Sequence, residues 1–356
     1  MVGCGWISHQ VHLPLLAEMR ANGRVGELWV SDFDQTVATQ TARKFGARHA
    51  EHDADDLAVD LVVVATTPRT HADLTIEALE RGAHVVVEKP LALTGTEAAR
   101  IAGTCAATGR RVFPLYTARH RADVEAMRSI LATDLGWAHT VRLSWLRSAG
   151  LPGTRGGREA GVLWDLGSHL VDTGLHVTGW LLDHGIAAAD ETDPAQGPAV
   201  GRASWQSSVI EPDEVAWCGV EGTVTTPAGQ TLSLQSSWST PKVAADETRV
   251  HVVGRGGASL TLRTVFGWSP HRQSVPEPAL WRTSSDGAVH VLLDRQLRDP
   301  WAEYAGQWDA ALTAFADPSP SRWELSLHVA QATTRVLEAL QLSLNEHAPR
   351  QIGVKP

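Results

Sequence analysis

The chain is poor in cysteine, in tyrosine and in long apolar runs, and each shortage excludes something. Three cysteines, Cys4, Cys105 and Cys218, stand far apart in 356 residues. That spacing offers neither a disulfide framework nor a zinc-ligand pattern, and it suits a reducing compartment. No apolar run approaches the ~18 residues that a membrane span needs. Met1 to Arg24 hold no basic leader ahead of an apolar stretch and no small-residue cleavage site. No export signal is read there, and a cytoplasmic location is expected. Excess positive charge is also absent: 31 Lys and Arg against 40 Asp and Glu leave a net −9. Nucleic acid and anionic membranes are therefore poor partners, although a helix terminus can bind a small anion whatever the net charge.

What is present is a soluble globular composition, 43% hydrophobic and 20% charged, in a chain long enough for two domains. Up to about residue 117, short apolar runs alternate with helical patterns. Strands are expected at 27–31, 60–65, 84–87 and 111–115, and helices at 35–45, 72–81 and 97–108. The runs Asp60–Ala65 and His84–Val87 are β-branched throughout their cores, as in strands covered on both faces. Such alternation specifies βαβ units and a doubly wound parallel sheet of α/β class. From 118 to 356 the texture changes to α+β. Helices are expected at 121–132, 162–182, 301–315 and 325–343, and strands at 138–145, 220–226, 231–237, 249–253, 259–264 and 289–293. Turn dipeptides between several of these strands indicate a mainly antiparallel sheet. Residues 184–214 lack periodicity and read as an exposed connection.

Three clusters carry chemistry. Gly3-Cys4-Gly5-Trp6-Ile7-Ser8 has the first two glycines of a dinucleotide fingerprint, with Ser8 in place of the third. The first permits a tight strand-to-helix turn and the second lets the backbone approach a diphosphate on the helix N-terminus. A plain turn would read the same way in isolation. Asp32 ends the next strand where a ribose 2′-OH would lie, and Phe33 follows it instead of an arginine, so NAD is expected ahead of NADP. Only Met1-Val2 precede Gly3, which predicts a first strand cut short, or another segment in its place. Glu88-Lys89-Pro90 closes a buried strand at its carboxyl end, the side on which open α/β sheets bind ligands. Standing alone, this is also how a solvated strand end reads. Asp165, His169 and Asp172, at i, i+4 and i+7, fall within about 60° of one helix face. A histidine with a carboxylate one turn away suits proton abstraction from a secondary alcohol. The same residues could be a helix-terminal acid and a core histidine. A metal is not expected, although His176 shares the face, because ligands on one straight helix cannot surround an ion.

Together these motifs resemble the glucose–fructose oxidoreductase/inositol dehydrogenase/rhizopine catabolism (Gfo/Idh/MocA) oxidoreductases. The resemblance rests on the glycine loop with His12-Leu13-Pro14, on Ala65-Thr66-Thr67-Pro68 with His71, on Val87-Glu88-Lys89-Pro90-Leu91, and on Asp165-Leu166-Gly167-Ser168-His169-Leu170-Val171-Asp172. It implies a Rossmann domain (1–117) and a substrate domain (118–356) whose large open sheet often serves oligomer contacts, hence a homodimer or homotetramer. It implies NAD or NADP as cofactor and a sugar, cyclitol or related polyol as substrate. Lys89, Asp165 and His169 become the catalytic trio: His169 takes the hydroxyl proton, Lys89 polarises the oxygen, and Asp165 positions His169 or substrate. Asp172 would bind an adjacent hydroxyl or brace the site. Gly3, Gly5, Trp6, Ile7, Asp32, Thr66, Thr67, His71, Glu88 and Lys89 would surround the cofactor. Arg119 would touch substrate or close the domain junction. Glu159-Ala160-Gly161 departs from the family's glycine run.

Fourteen tryptophans against two tyrosines remain. Most are expected in core or subunit contacts, with Trp6 and Trp164 as candidates to face substrate or cofactor. Two further functions stay open: a relative that retains NAD for epimerisation or glycoside cleavage without net redox, and a non-catalytic dinucleotide- or sugar-sensing protein.

Overall fold

The computed structural model describes residues 1–50, 58–135, 138–147, 161–179, 199–211, 214–225, 229–238, 246–266, 279–295, 299–317 and 321–347. The chain divides into two compact units, Met1–His120 with Asp299–Thr334 and Arg121–Arg298 with Arg335–Pro356. Asp299–Thr334, expected in a second domain running from 118 to 356, belong here to the first unit.

In the first unit, helix α1 (Leu13–Ala21) follows a wide turn over Ser8–His12, where the Leu13 N–H donates to the Ser8 carbonyl. Pro14 accounts for the widening: it has no N–H for the Gln10 carbonyl, and its ring crowds that oxygen. Then come β1 (Trp29–Val30), α2 (Gln35–Phe45), β2 (Arg48–His49), β3 (Leu61–Val64), α3 (His71–Glu80), β4 (His84–Glu88), α4 (Gly95–Thr108) and β5 (Val112–Leu115). Strands β3, β4 and β5 are neighbours in one parallel sheet, and β1 pairs with β2. Met1–Gly3 lie between these two pieces and pair with both. Val2 N–H donates to Val63 O (2.7 Å), Ala65 N–H to Val2 O (2.9 Å), Gly3 N–H to Ser31 O (2.9 Å) and Ser31 N–H to Met1 O (2.9 Å). The short first strand thus meets both neighbours through three residues. Helix α4 begins two residues earlier than the pattern predicts, because Thr94 and Glu97 form a reciprocal capping box.

The second unit holds α5 (Ala122–Ile130), β6 (Ala138–Leu146), α6 (Ser168–Thr178), β7 (Ala199–Glu211), β8 (Glu214–Thr225), β9 (Thr231–Ser237), β10 (Glu247–Gly254), β11 (Ser259–Thr264), β12 (Leu280–Thr283) and β13 (Val289–Leu293). The strands form one sheet in the order β13-β12-β11-β10-β6-β9-β8-β7, antiparallel except where β6 pairs with β9. Two expectations need correction. The connection at 184–214 contains the long strand β7, because pairing with β8 overrides a run of small residues without alternation. The helix expected to reach 182 ends at Thr178, where Gly179 takes a left-handed conformation (φ 64°) and donates to the Leu175 carbonyl.

Two helices follow. The Asp299 side chain caps α7 (Pro300–Ala316), accepting from the Trp301 and Ala302 N–H groups at 3.1 Å each. The last helix, α8 (Ser321–His347), belongs to the first unit up to Thr334. The reason α7 joins the first unit is hydrophobic. Trp308, Ala311 and Ala314 share a core with Val30, Val86 and Leu115. Burying one indole is worth roughly 4–6 kcal/mol at ~25 cal/mol per Å². Arg111, just before β5, also donates to the Ala314 carbonyl at the end of α7 (2.6 Å) and to the Asp317 carbonyl. Among the described residues, no helix is long and apolar enough to cross a membrane.

Candidate active site

The glycine loop is built for close backbone approach. Gly3 has φ +91°, and a Cβ there would sit 2.6 Å from the Ala65 carbonyl oxygen. A Cβ on Gly5 would meet nothing within 4 Å, so the loop borders open space. That space adjoins the first N–H groups of the helix, which no intrahelical carbonyl can reach. Shape and donor set therefore suit a diphosphate. Ser8 replaces the third fingerprint glycine with a latch: its buried hydroxyl donates to the Gly3 carbonyl at 2.7 Å. Asp32 is tied to the same loop, accepting from the Cys4 N–H (2.7 Å) and the Asp34 N–H (3.0 Å). Trp6 is 45% exposed and Ile7 packs partly into the core beneath the loop.

Lys89 follows β4, and its turn is held from two sides. Glu88 accepts from the Lys89 N–H at 3.0 Å and sits 2.9 Å from His12 Nε2. Burial alone would raise the Glu88 carboxyl. Its hydrogen bond and electrostatic interaction with His12, followed by the charge and N–H of Lys89, outweigh that and hold it below its ordinary range. On the other side is His71, expected at the cofactor. The structure buries its ring, with Nδ1 2.7 Å from the Pro90 carbonyl and Nε2 3.2 Å from the Thr66 carbonyl. The ring thus sits between the Thr66 loop and the Lys89 turn, and in its neutral form its single N–H donates to one of these two carbonyls. Thr66 and Thr67 form that loop, their hydroxyl and carbonyl engaging Thr70.

Burial lowers the His71 pKa more than its two carbonyl partners raise it. A histidine depressed in the folded state contributes stability above its ordinary value of 6.5 and loses it as pH falls through the folded value. Thermal melts taken at falling pH should therefore show a smaller acid-induced loss in His71→Gln than in the wild type. An unchanged pH dependence would contradict the assignment.

The second unit supplies the other expected group. Asp165 lies in a second wide turn, Leu163–Gly167, immediately ahead of α6. Its Oδ2 accepts from the Trp238 indole N–H at 3.1 Å. His169, partly exposed on the first turn of α6, has its ring 5.7 Å from that of Trp145, which in turn meets Phe266 edge-on at 5.7 Å. Asp165 and His169 thus stand among three buried aromatics. Asp172 is fully buried, which favours bracing over binding a substrate hydroxyl. Trp164 is buried as well. Arg119, also buried and within the first unit, lies over the Tyr116 ring at 4.9 Å and donates to Ser326 Oγ at 2.7 Å.

The structure therefore groups Gly3, Gly5, Trp6, Ile7 and Asp32 in one loop cluster, Thr66, Thr67, His71, Glu88 and Lys89 in a second, and Asp165, His169 and Asp172 in the second unit. Trp238 carries no motif that marks it, and His12 appears in a quoted motif without a role. Glu159-Ala160, Trp180 and Trp268 lie outside the described residues. Among the described residues, no group of three or more His, Cys, Asp or Glu could hold a metal ion.

Residues 1–116 match the family model GFO_IDH_MocA, described as an oxidoreductase family with an NAD-binding Rossmann fold. Over 325 residues the chain is 30% identical to a protein of Amycolatopsis mediterranei named as a candidate UDP-kanosamine synthase oxidoreductase subunit, covering 89% of this chain and 88% of that one. Three other curated relatives align over about half of their own length. The fold is shared with KijD10, a 3-ketoreductase from Actinomadura kijaniata crystallised with NADP and TDP-benzene (TM-score 0.70, 19% identity, 96% of each chain). It is shared too with GenD2 from gentamicin A biosynthesis, crystallised with NAD (TM-score 0.68, 22% identity, 97% of this chain and 93% of that one).

Proposed function

Because the chain belongs to the Gfo/Idh/MocA oxidoreductase family, whose members are NAD(P)-dependent dehydrogenases and reductases of CH–OH groups, we propose that it acts on a secondary hydroxyl or keto carbon of a sugar, cyclitol or related polyol. The observation that carries this reading is the Asp165–His169 pair: a partly exposed imidazole one turn after a carboxylate that Trp238 holds in place. A bound nicotinamide supplies the hydride acceptor or donor. His169 accepts the hydroxyl proton in oxidation and returns it in reduction. Lys89 donates to the reacting oxygen and stabilises the negative charge that develops there. Asp165 orients His169 or binds a neighbouring hydroxyl, and Asp172 braces α6. Gly3, Gly5, Trp6 and Ile7 cradle the diphosphate, and the Asp32 carboxylate takes the ribose hydroxyls, which favours NAD over NADP. The large sheet is the proposed surface for a homodimer or homotetramer, and the sparse cysteines suit the cytoplasm.

The test is purified protein with NAD or NADP against a panel of polyols, free sugars and nucleotide-linked sugars, read at the absorbance of reduced nicotinamide. The relatives named above justify the nucleotide-linked members. No turnover with any of them, together with no cofactor binding, would exclude the proposal. Cofactor that co-purifies and turnover without added NAD would favour a non-redox relative instead. Trp238→Phe keeps an aromatic ring but removes the hydrogen bond to Asp165. Its kcat should fall roughly tenfold, as for a lost hydrogen bond to a charged group, with little change in cofactor Kd. Wild-type kcat in this variant would mean that the indole does not position Asp165.

A further inference from the structure

A buried line of contacts runs from α7 to the Lys89 turn, entirely within the first unit. Trp308, in α7, is fully buried, and its indole Nε1 lies 3.2 Å from His12 Nδ1. His12 is also fully buried, and its Nε2 lies 2.9 Å from Glu88 Oε1. Glu88 Oε2 then accepts the Lys89 N–H at 3.0 Å. An indole nitrogen can only donate. His12 Nδ1 must therefore accept, which places the ring proton on Nε2, aimed at the carboxylate. One tautomer satisfies both neighbours and no other does. The imidazolium would turn an N–H against the indole N–H, and the opposite tautomer would set a lone pair against the Glu88 oxygen.

We propose that Trp308 is a positioning residue for the reaction: it locks His12 as a neutral Nε2–H donor, so that Glu88 stays fixed and keeps the Lys89 backbone in register for catalysis. This rests on the proposed role of Lys89. The lock spans 296 residues of sequence, so it also makes the placement of Lys89 depend on a helix near the other end of the chain. Among the described residues, the charged and titratable groups around the Lys89 turn include Glu88 and Lys89 themselves and His71 of α3.

Three variants and one spectroscopic measurement test it. Trp308→Phe keeps an aromatic ring in the core but removes the N–H. His12→Gln offers a donor and an acceptor, and His12→Leu offers neither. With the best substrate from the panel, Trp308→Phe and His12→Leu should lose roughly ten- to hundredfold in kcat, more than they change KM, while His12→Gln recovers most of the loss. Nitrogen-15 spectra of histidine-labelled wild-type protein should show the His12 ring as the neutral Nε2–H tautomer. In Trp308→Phe the Nδ1 resonance should shift, because its hydrogen bond from the indole is lost. A wild-type ring that is imidazolium, or protonated on Nδ1 alone, would overturn the lock. So would equal kcat for His12→Gln and His12→Leu, or wild-type kcat in Trp308→Phe. If Trp308→Phe does not fold, the wild-type spectrum and the His12 pair still decide. Absence of polyol turnover would count against the functional reading alone, since the tautomer is read without substrate.

Discussion

Replacing His169 with asparagine should lower kcat by about 10²–10⁴-fold, the usual contribution of a positioned acid–base group. Asparagine retains hydrogen-bonding capacity beside Trp145 but cannot accept and return a proton near neutral pH. The loss should therefore appear in kcat and in kcat/KM together, while the Kd for NADH, measured by calorimetry, stays close to the wild-type value. Helix α6 is packed through its buried residues Ser168, Leu170 and Val171 while His169 is partly exposed, so the backbone should persist and the melting temperature should shift little. A variant retaining kcat within about threefold of wild type would remove His169 from the chemistry. A matched loss of cofactor binding would instead assign it to ligand placement.

Gly3→Ala should be the most damaging single substitution in the first unit. The added methyl would lie 2.6 Å from a backbone oxygen, Ala65 O, and 2.9 Å from the Thr66 nitrogen, at a residue with φ +91°. Neither neighbour is the free end of a side chain that could swing aside. The left-handed conformation costs roughly 1–2 kcal/mol and the overpacking roughly 1–3 kcal/mol, so a loss of about 2–5 kcal/mol in urea unfolding is expected. The cost falls where Met1–Gly3 pair with their neighbours, since Gly3 N–H donates to Ser31 O and Val2 bonds to the β3 edge. Cofactor affinity should fall with stability, because relief of the clash moves the loop. Wild-type stability and NADH affinity in this variant would show that the loop is not held as described.

How legible this molecule is from its sequence depends on whether a feature is local. Thr94 with Glu97 opens α4 and Gly109 ends it at φ 66°, all within one stretch of chain. The β-branched cores of β3 and β4 identify buried strands without help from anything distant. Strand β7 fails that standard: Ala199, Gly201, Ala203, Ser204, Ser207 and Ser208 are small and unpatterned, and only the partner strand β8 makes the segment extended. The site shows the same division. Gly3, Gly5, Asp32, Lys89, Asp165 and His169 are marked by spacing. Trp238 reaches Asp165 across 73 residues and Trp308 reaches His12 across 296, and such pairs leave no local trace. His71 is the intermediate case. Its motif is visible, but its place between two carbonyl-bearing loops is visible only in space.

Ser8 bears on how such proteins are redesigned. Compared letter by letter with the dinucleotide fingerprint, it looks like a defect, and a consensus library would restore glycine. The hydroxyl, however, closes the loop onto the Gly3 carbonyl, and it does so from a wide helical turn that glycine would leave still more pliable. The correction that sequence averages recommend would therefore exchange a preformed binding loop for one that must be ordered by its ligand, at a cost in affinity.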